Sequence, residues 1–296
     1  MKRAFWLRMQ ALDRRWIFVV LLLVTVYPLL WPVGLPLDVS PPTRAAYDRI
    51  EAVPSGATVL LSWDFDPGSQ AELLPAAEAI LHHLFRKDVK VVVMTLWPAA
   101  PTLATTALKK ISARYGKVEG VDWVNLGYKP GLDVVVKAMG DDIHDIFPAN
   151  QRGDPVADIP VMAGIRTYAD VDLIIDLAAG NSVEVYVQQA VERNGAELVV
   201  AVTGVMIADF YPYLEARQLK GMVGALKGAA EYEILVGTRE IIGRAGDATM
   251  AMDSQSFAHL AILAFILLGN LGYFLGGRPG GVSRLKSLRG DKEGEA

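Results

Sequence analysis

The stretch Thr58–Leu73, TVLLSWDFDPGSQAEL, runs a β-rich apolar segment into two aspartates, a Pro-Gly pair and a segment with helical spacing. A short apolar run bounded by turn residues reads as a strand buried on both faces. Such a strand followed at once by a helix belongs to a parallel sheet. The same pattern recurs along the chain. The runs ATVLLSW (57–63), VKVVVMTLW (89–97), VDWVNLG (121–127), VDLIIDLAA (171–179) and AELVVAVTG (196–204) alternate with SQAELLPAAEAILHHLFRK, APTLATTALKKISARYG, LDVVVKAMGDDIHDIF and SVEVYVQQAVERNG. The expected fold is α/β, a doubly wound, mostly parallel, Rossmann-like sheet of about five strands.

Outside this region the chain is more apolar than a soluble domain needs, and 52% of its 296 residues are hydrophobic. WIFVVLLLVTVYPLLW (16–31) and FAHLAILAFILLGNLGYFLGG (257–277) carry no Asp, Glu, Lys or Arg. A helix needs about 20 apolar residues to cross the hydrocarbon core, so both segments are read as membrane spans. The expected organisation is a basic leader at 1–15, an uncleaved signal anchor at 16–37, an α/β domain at 38–255, a second span at 256–277 and a tail at 278–296 without packed structure. The segment after the first apolar run, PVGLPLDVSPP, lacks the small-x-small pattern of a cleaved signal peptide.

The leader holds five basic residues against one acid, and the tail five against three. Short basic flanks stay in the cytoplasm. Both termini are therefore expected inside the cytoplasmic membrane, with the central domain, 19 basic against 29 acidic residues, outside it. That acidity argues against nucleic acid as a partner, because phosphate contacts need a basic surface. With no cysteine, the chain forms no disulfide and offers no thiolate nucleophile.

In doubly wound sheets, ligands bind beyond the carboxyl ends of the strands. The residues expected there are Asp64 and Asp66, Thr95, Tyr128 and Lys129, Gly180 and Asn181, and Thr203. GxGxxG, GxxxxGK[ST] and GxSxG are all absent, which removes the common nucleotide and hydrolase signatures. His144 shares helical spacing with Asp141 and Asp145, and with Asp142 these residues are the candidate metal ligands. His82 and His83 are adjacent in a helical segment and point in different directions. Gly221, Gly224 and Gly228 fall at i, i+3 and i+7 of an expected helix, YLEARQLKGMVGALKGAAEYEILVG, and are candidates for close packing within the domain or between chains.

Two resemblances bear on function. The pair Asp64 and Asp66, with Thr95 and MGDDIHDI (139–146), resembles the haloacid dehalogenase superfamily. That likeness implies Asp64 as nucleophile, Asp66 as acid/base, Thr95 as phosphate ligand, and Asp141 and Asp142 holding Mg²⁺. The plain alternative is that Asp66-Pro67-Gly68 is a turn capping the next helix. Taken together, WDFDPG, VNLGYKPG, FYPYL and RQLKGMVGALKGAAEYE resemble an uncharacterised family of prokaryotic membrane proteins with two transmembrane helices flanking an extracytoplasmic α/β domain. This second likeness implies the architecture and no known activity. The function expected from the whole is a non-enzymatic accessory or scaffold subunit of a membrane complex, with other membrane proteins or a second copy as partner. An external Mg²⁺-dependent hydrolase or phosphatase at Asp64 and Asp66, and a small-ligand receptor at the strand ends, are the alternatives. No cofactor is indicated apart from that Mg²⁺.

Overall fold

The computed structural model describes residues 13–276. Most of the expected basic leader and the whole of the expected tail lie outside them. Along the chain come α1 (Arg14–Leu30), α2 (Pro41–Glu51), β1 (Thr58–Asp64), α3 (Gln70–Arg86), β2 (Lys90–Thr95), α4 (Ala100–Ser112), β3 (Trp123–Tyr128), α5 (Leu132–Met139) and α6 (Ile143–Ile146). After these come β4 (Leu173–Ala178), α7 (Ser182–Tyr186), β5 (Leu198–Val202), α8 (Ile207–Glu215), β6 (Gly221–Gly224), α9 (Ala225–Val236), α10 (Thr238–Ile242) and α11 (Asp247–Gly276). The chain forms two compact units. One is Gly34–Met252, and the other joins the chain up to Val33 with the chain from Asp253 onward.

The sheet of the larger unit has the order β3-β2-β1-β4-β5-β6, with every neighbouring pair parallel. Successive residues of each strand feed opposite faces. Val59, Leu61 and Trp63 of β1 join one core with α2, α3, α4 and α9. Leu60 faces the other core, built from α5, α7, α8 and the turns that precede β4. Both faces are covered, which explains why the strands read as continuous apolar runs. The order reverses between β1 and β4, and this switch point fixes where the edge opens.

The expected fold class holds, with six strands in place of five. The sixth is hidden inside the expected glycine helix, which does not form as one helix. GMVG (221–224) is β6, and the helix begins only at Ala225. The register explains the glycines. Gly221 pairs with Val199 and Gly224 with Val202, so they face opposite sides of the sheet. A Cβ at Gly221 would lie 2.2 Å from the Ala46 backbone nitrogen of α2, and one at Gly224 would lie 2.9 Å from the Ile207 side chain. Gly228, in α9, packs on the Val223 backbone, where a Cβ would sit 3.0 Å away. Close backbone approach is the reason for Gly221 and Gly228, and it occurs within the domain. Spacing of three to four residues cannot distinguish a strand passing into a helix from one continuous helix.

Among the described residues, one helix is long and apolar enough to cross a membrane, over Asp247–Leu275. The expected first span is shorter than its sequence suggests. α1 has 17 residues and ends at Leu30, with Pro28 inside it, rather than continuing to 37. Proline removes a helical N–H and the chain leaves the helix at Trp31. Within this smaller unit, Ser254 Oγ donates to the Thr25 carbonyl at 2.8 Å and the Val33 N–H donates to Asp253 at 3.0 Å. Phe18, Leu22 and Leu23 of α1 and Leu260, Leu267 and Phe274 of α11 are all exposed.

Candidate functional site

The carboxyl ends of β1 and β4 meet at the switch point, and each strand brings an aspartate there. Register pairs Ser62 with Asp176 and Asp64 with Ala178, so Ser62, Asp64 and Asp176 share one face of the sheet. All three are fully buried among apolar side chains. Asp64 is held by two donors, the Ser62 hydroxyl at 2.5 Å and the Leu96 N–H at 2.7 Å. Tyr186, from the helix after β4, donates to Ser62 at 2.9 Å. A relay of aligned hydroxyls therefore runs from α7 to the Asp64 carboxyl.

Asp176 differs. Neither of its oxygens has a hydrogen-bond partner, and the buried hydroxyl of Ser182 has none either. Burial raises the Asp176 carboxyl well above the usual range, and the charge of Asp64 raises it further, with the nearby Ser182 opposing the shift. Burial also raises Asp64, to about 6, with Ser62 and the Leu96 N–H opposing the shift. Two neighbouring buried carboxyls titrate as a pair. Asp64, with two donors, is the better carboxylate, and Asp176, with none, is the better acid.

The other strand-end residues of this edge are mostly engaged. Asp66 does not join Asp64, because Oδ1 of Asp66 accepts the N–H groups of Gly68 at 2.9 Å and Ser69 at 3.2 Å. This is the turn reading of DPG. Thr95 is buried, and its hydroxyl bonds Trp97 N and O at 3.0 and 3.1 Å. Lys129 lies 5.8 Å from the centre of the Phe147 ring, while Tyr128 is exposed. Gly180 lies against Trp97, where a Cβ would meet the indole at 3.0 Å, and Asn181 precedes α7. Thr203 is buried, and Glu72 of α3 accepts the neighbouring Gly204 N–H at 2.8 Å.

The structure does not bring the expected metal ligands to this edge. α5 runs away from the carboxyl end of β3, so Asp141 and Asp142, beyond its end, lie toward the opposite edge of the sheet. Asp142 caps α6 by accepting the His144 N–H at 2.7 Å and pairs with Arg166, and His144 Nε2 bonds the Ile165 carbonyl at 2.9 Å. Asp145 lies in the same short helix, α6. Among the described residues, no group of three or more His, Asp or Glu side chains is placed to hold a metal ion.

Asp176 is the residue that sequence reasoning misses. Its signal is a lone acid in the middle of VDLIIDLAA, where each neighbour is apolar. Strand alternation alone places it on the face of Ile174, but only the register with β1 sets it beside Ser62 and Asp64. A second signal lies in the helix that carries Ser182 and Tyr186. It continues as a π-helical segment, Val187–Glu192, a form frequent at functional positions.

Searches against protein-family models and against curated proteins found no match to this chain.

Proposed function

We propose that this protein is an α/β domain carried on the outer side of the cytoplasmic membrane, acting as a non-enzymatic accessory or scaffold subunit of a membrane complex. Asp247–Leu275 is the principal span. α1, without a charged residue from Trp16 onward and about 25 Å long by its 17 residues, is the second anchor beside it. The basic ends of the chain favour both termini inside, and the acidic centre favours the domain outside.

The observation that carries the non-enzymatic reading is the burial of Asp64. A carboxylate nucleophile must reach its substrate, and here both oxygens accept hydrogen bonds beneath a closed surface. Asp66, the expected acid/base, is occupied by its own turn. The strand-end surface at Gly180 and Asn181, which follow β4, supports the small-ligand alternative, since it lies at the switch point between β1 and β4.

Co-purification of the tagged full chain from native membranes tests the scaffold reading, with a stoichiometric partner as the expected result. Mg²⁺-dependent phosphoester hydrolysis that disappears in Asp64→Asn would overturn it. Topology is read separately in the cysteine-free background. Ser55→Cys, in an exposed loop, should label with an impermeant thiol reagent on spheroplasts, and Ser287→Cys only after lysis.

A further inference from the structure

Asp64 and Asp176 form an acid pair without a counter-ion. No salt bridge among the described residues involves either. Nearby Glu184, in α7, adds further negative charge at Asp176, and its own Oε2 is buried without a hydrogen-bond partner. An unpaired buried carboxylate is destabilising when nothing compensates it. Three unsatisfied polar groups, the Asp176 carboxyl, the Ser182 hydroxyl and Glu184 Oε2, gather around two adjacent strand ends. They do so beside the switch point of the sheet, the place in this topology where ligands bind.

We propose that Asp64, Asp176 and the Ser182 hydroxyl form a binding site for one hard divalent cation, Mg²⁺ or Ca²⁺, at the switch point between β1 and β4. The donor set is oxygen only, which suits these ions and not thiophilic metals. Two carboxylates match the ion's charge. Each Asp64 oxygen has a lone pair left after its one hydrogen bond, and neither Asp176 oxygen accepts one, so both can ligate once Asp176 gives up its proton to the ion's charge. Ser62 and the Leu96 N–H orient Asp64 as outer partners do in metal sites. Three protein ligands leave positions for water, the usual arrangement for Mg²⁺. The role is to neutralise two buried carboxyls where β1 and β4 meet, and it requires no catalysis.

The test uses the detergent-solubilised full chain, stripped with chelator and held at constant ionic strength. Calorimetric titration with MgCl₂ and CaCl₂ at pH 7.5 should give saturable binding of one ion with a rise in melting temperature. Asp176→Asn should abolish both. Ser182→Ala, a small change that leaves both carboxylates in place, should weaken binding roughly tenfold or more. Lowering the pH to 5 should weaken wild-type binding, because protons compete with the ion at Asp64 and Asp176. The other titratable groups facing them, Glu184 and Tyr186 of α7 and Tyr168 from the turn before β4, supply no positive charge that would reverse this. If wild type shows no saturable binding of either ion, the pair holds only a proton and the proposal fails. It fails equally if binding persists unchanged in Ser182→Ala and Asp176→Asn, since the ion then sits elsewhere. Should Asp176→Asn not fold, Ser182→Ala decides.

Discussion

The two faces of the sheet each bury a polar cluster, and the clusters differ in one respect. On the face of α2, α3 and α9, His83 is fully buried, with Nε2 bonded to Glu51 at 2.6 Å and Nδ1 to the Tyr232 hydroxyl at 2.7 Å. Tyr47 stacks on the imidazole at 4.6 Å. Every polar atom of the ring has a partner. On the opposite face Asp64 is satisfied and Asp176 is not. A closed network rigidifies a core and asks for nothing more, whereas an open one is a place where something else belongs. His83 and Asp176 are equally buried, so satisfaction rather than burial separates these two clusters.

The closed cluster should break most completely from a distance. Gly221→Val would drive a side chain into the Ala45–Ala46 backbone of α2, the helix that carries Tyr47 and Glu51 to His83. Backbone has no rotamer to give way, so the cost should reach about 3 kcal/mol, the upper end for overpacking. Thermal melting measures it, and a shift below about one degree would mean that α2 does not lie on Gly221. Gly224→Ala, facing the flexible Ile207 side chain across the other face, should cost far less.

Opening the closed cluster directly comes next. His83→Leu keeps approximate volume but leaves the buried Tyr232 hydroxyl without its partner, at about 2 kcal/mol. Tyr232→Phe in that background should recover part of the loss, because removing both partners is nearly neutral. A double-mutant cycle gives the coupling. Additive effects would show that the hydrogen bond contributes nothing and that satisfaction does not distinguish the two clusters.

The faces should also respond oppositely to pH in metal-free protein. Asp64 is raised to about 6, so between the ordinary carboxyl value and about 6 the native state holds more protons than the unfolded chain. This face therefore contributes stability at low pH that is lost as pH rises through that window. His82 is lowered to about 4, by burial first and then by Arg114 and Lys110, and burial lowers His83 as well. Their contribution is present above the histidine value and is lost as pH falls. Wild-type stability should accordingly vary little between pH values of about 4 and 6. Asp176→Asn removes one of the two raised carboxyls and leaves Asp64, so its stability relative to wild type should improve as pH rises across that range. Denaturation curves at several pH values suffice, and parallel profiles would contradict the assignment.

The sequence makes one side of this comparison readable and conceals the other. Period and punctuation reveal the parallel sheet, because strands buried on both faces carry continuous apolar runs. Asp64 stands out because it ends such a run. Asp176 does not, because it lies inside one, and only the pairing of Ser62 with Asp176 and Asp64 with Ala178 makes it a neighbour. β6 is obscured for a related reason, since four residues rich in glycine carry no strand period. Its place is set by long-range pairing with β5 and by the α2 backbone lying on Gly221. His83 and Glu51 are 32 residues apart, and His83 and Tyr232 are 149 apart. Contacts of that separation leave no local trace.

The smallest effect belongs to the second aspartate of DFDPG. Asp66 stands two residues from Asp64 and resembles it in sequence, but it is only half-buried and its Oδ1 serves only the Gly68 and Ser69 N–H groups. Asp66→Ala removes a turn cap that water can replace, so the expected loss is about 0.5 to 1 kcal/mol. It should leave the affinity for Mg²⁺ or Ca²⁺ and the pH profile unchanged, because the hydrogen bonds of Asp66 go to its own turn and not to Asp64 or Asp176. Asp66→Asn, whose amide oxygen still accepts from the same N–H groups, should recover most of the stability. If Asp66→Asn and Asp66→Ala both lose cation binding while keeping near-native melting temperatures, the two carboxylates act together. The site would then lie at the surface of the edge instead of beneath it.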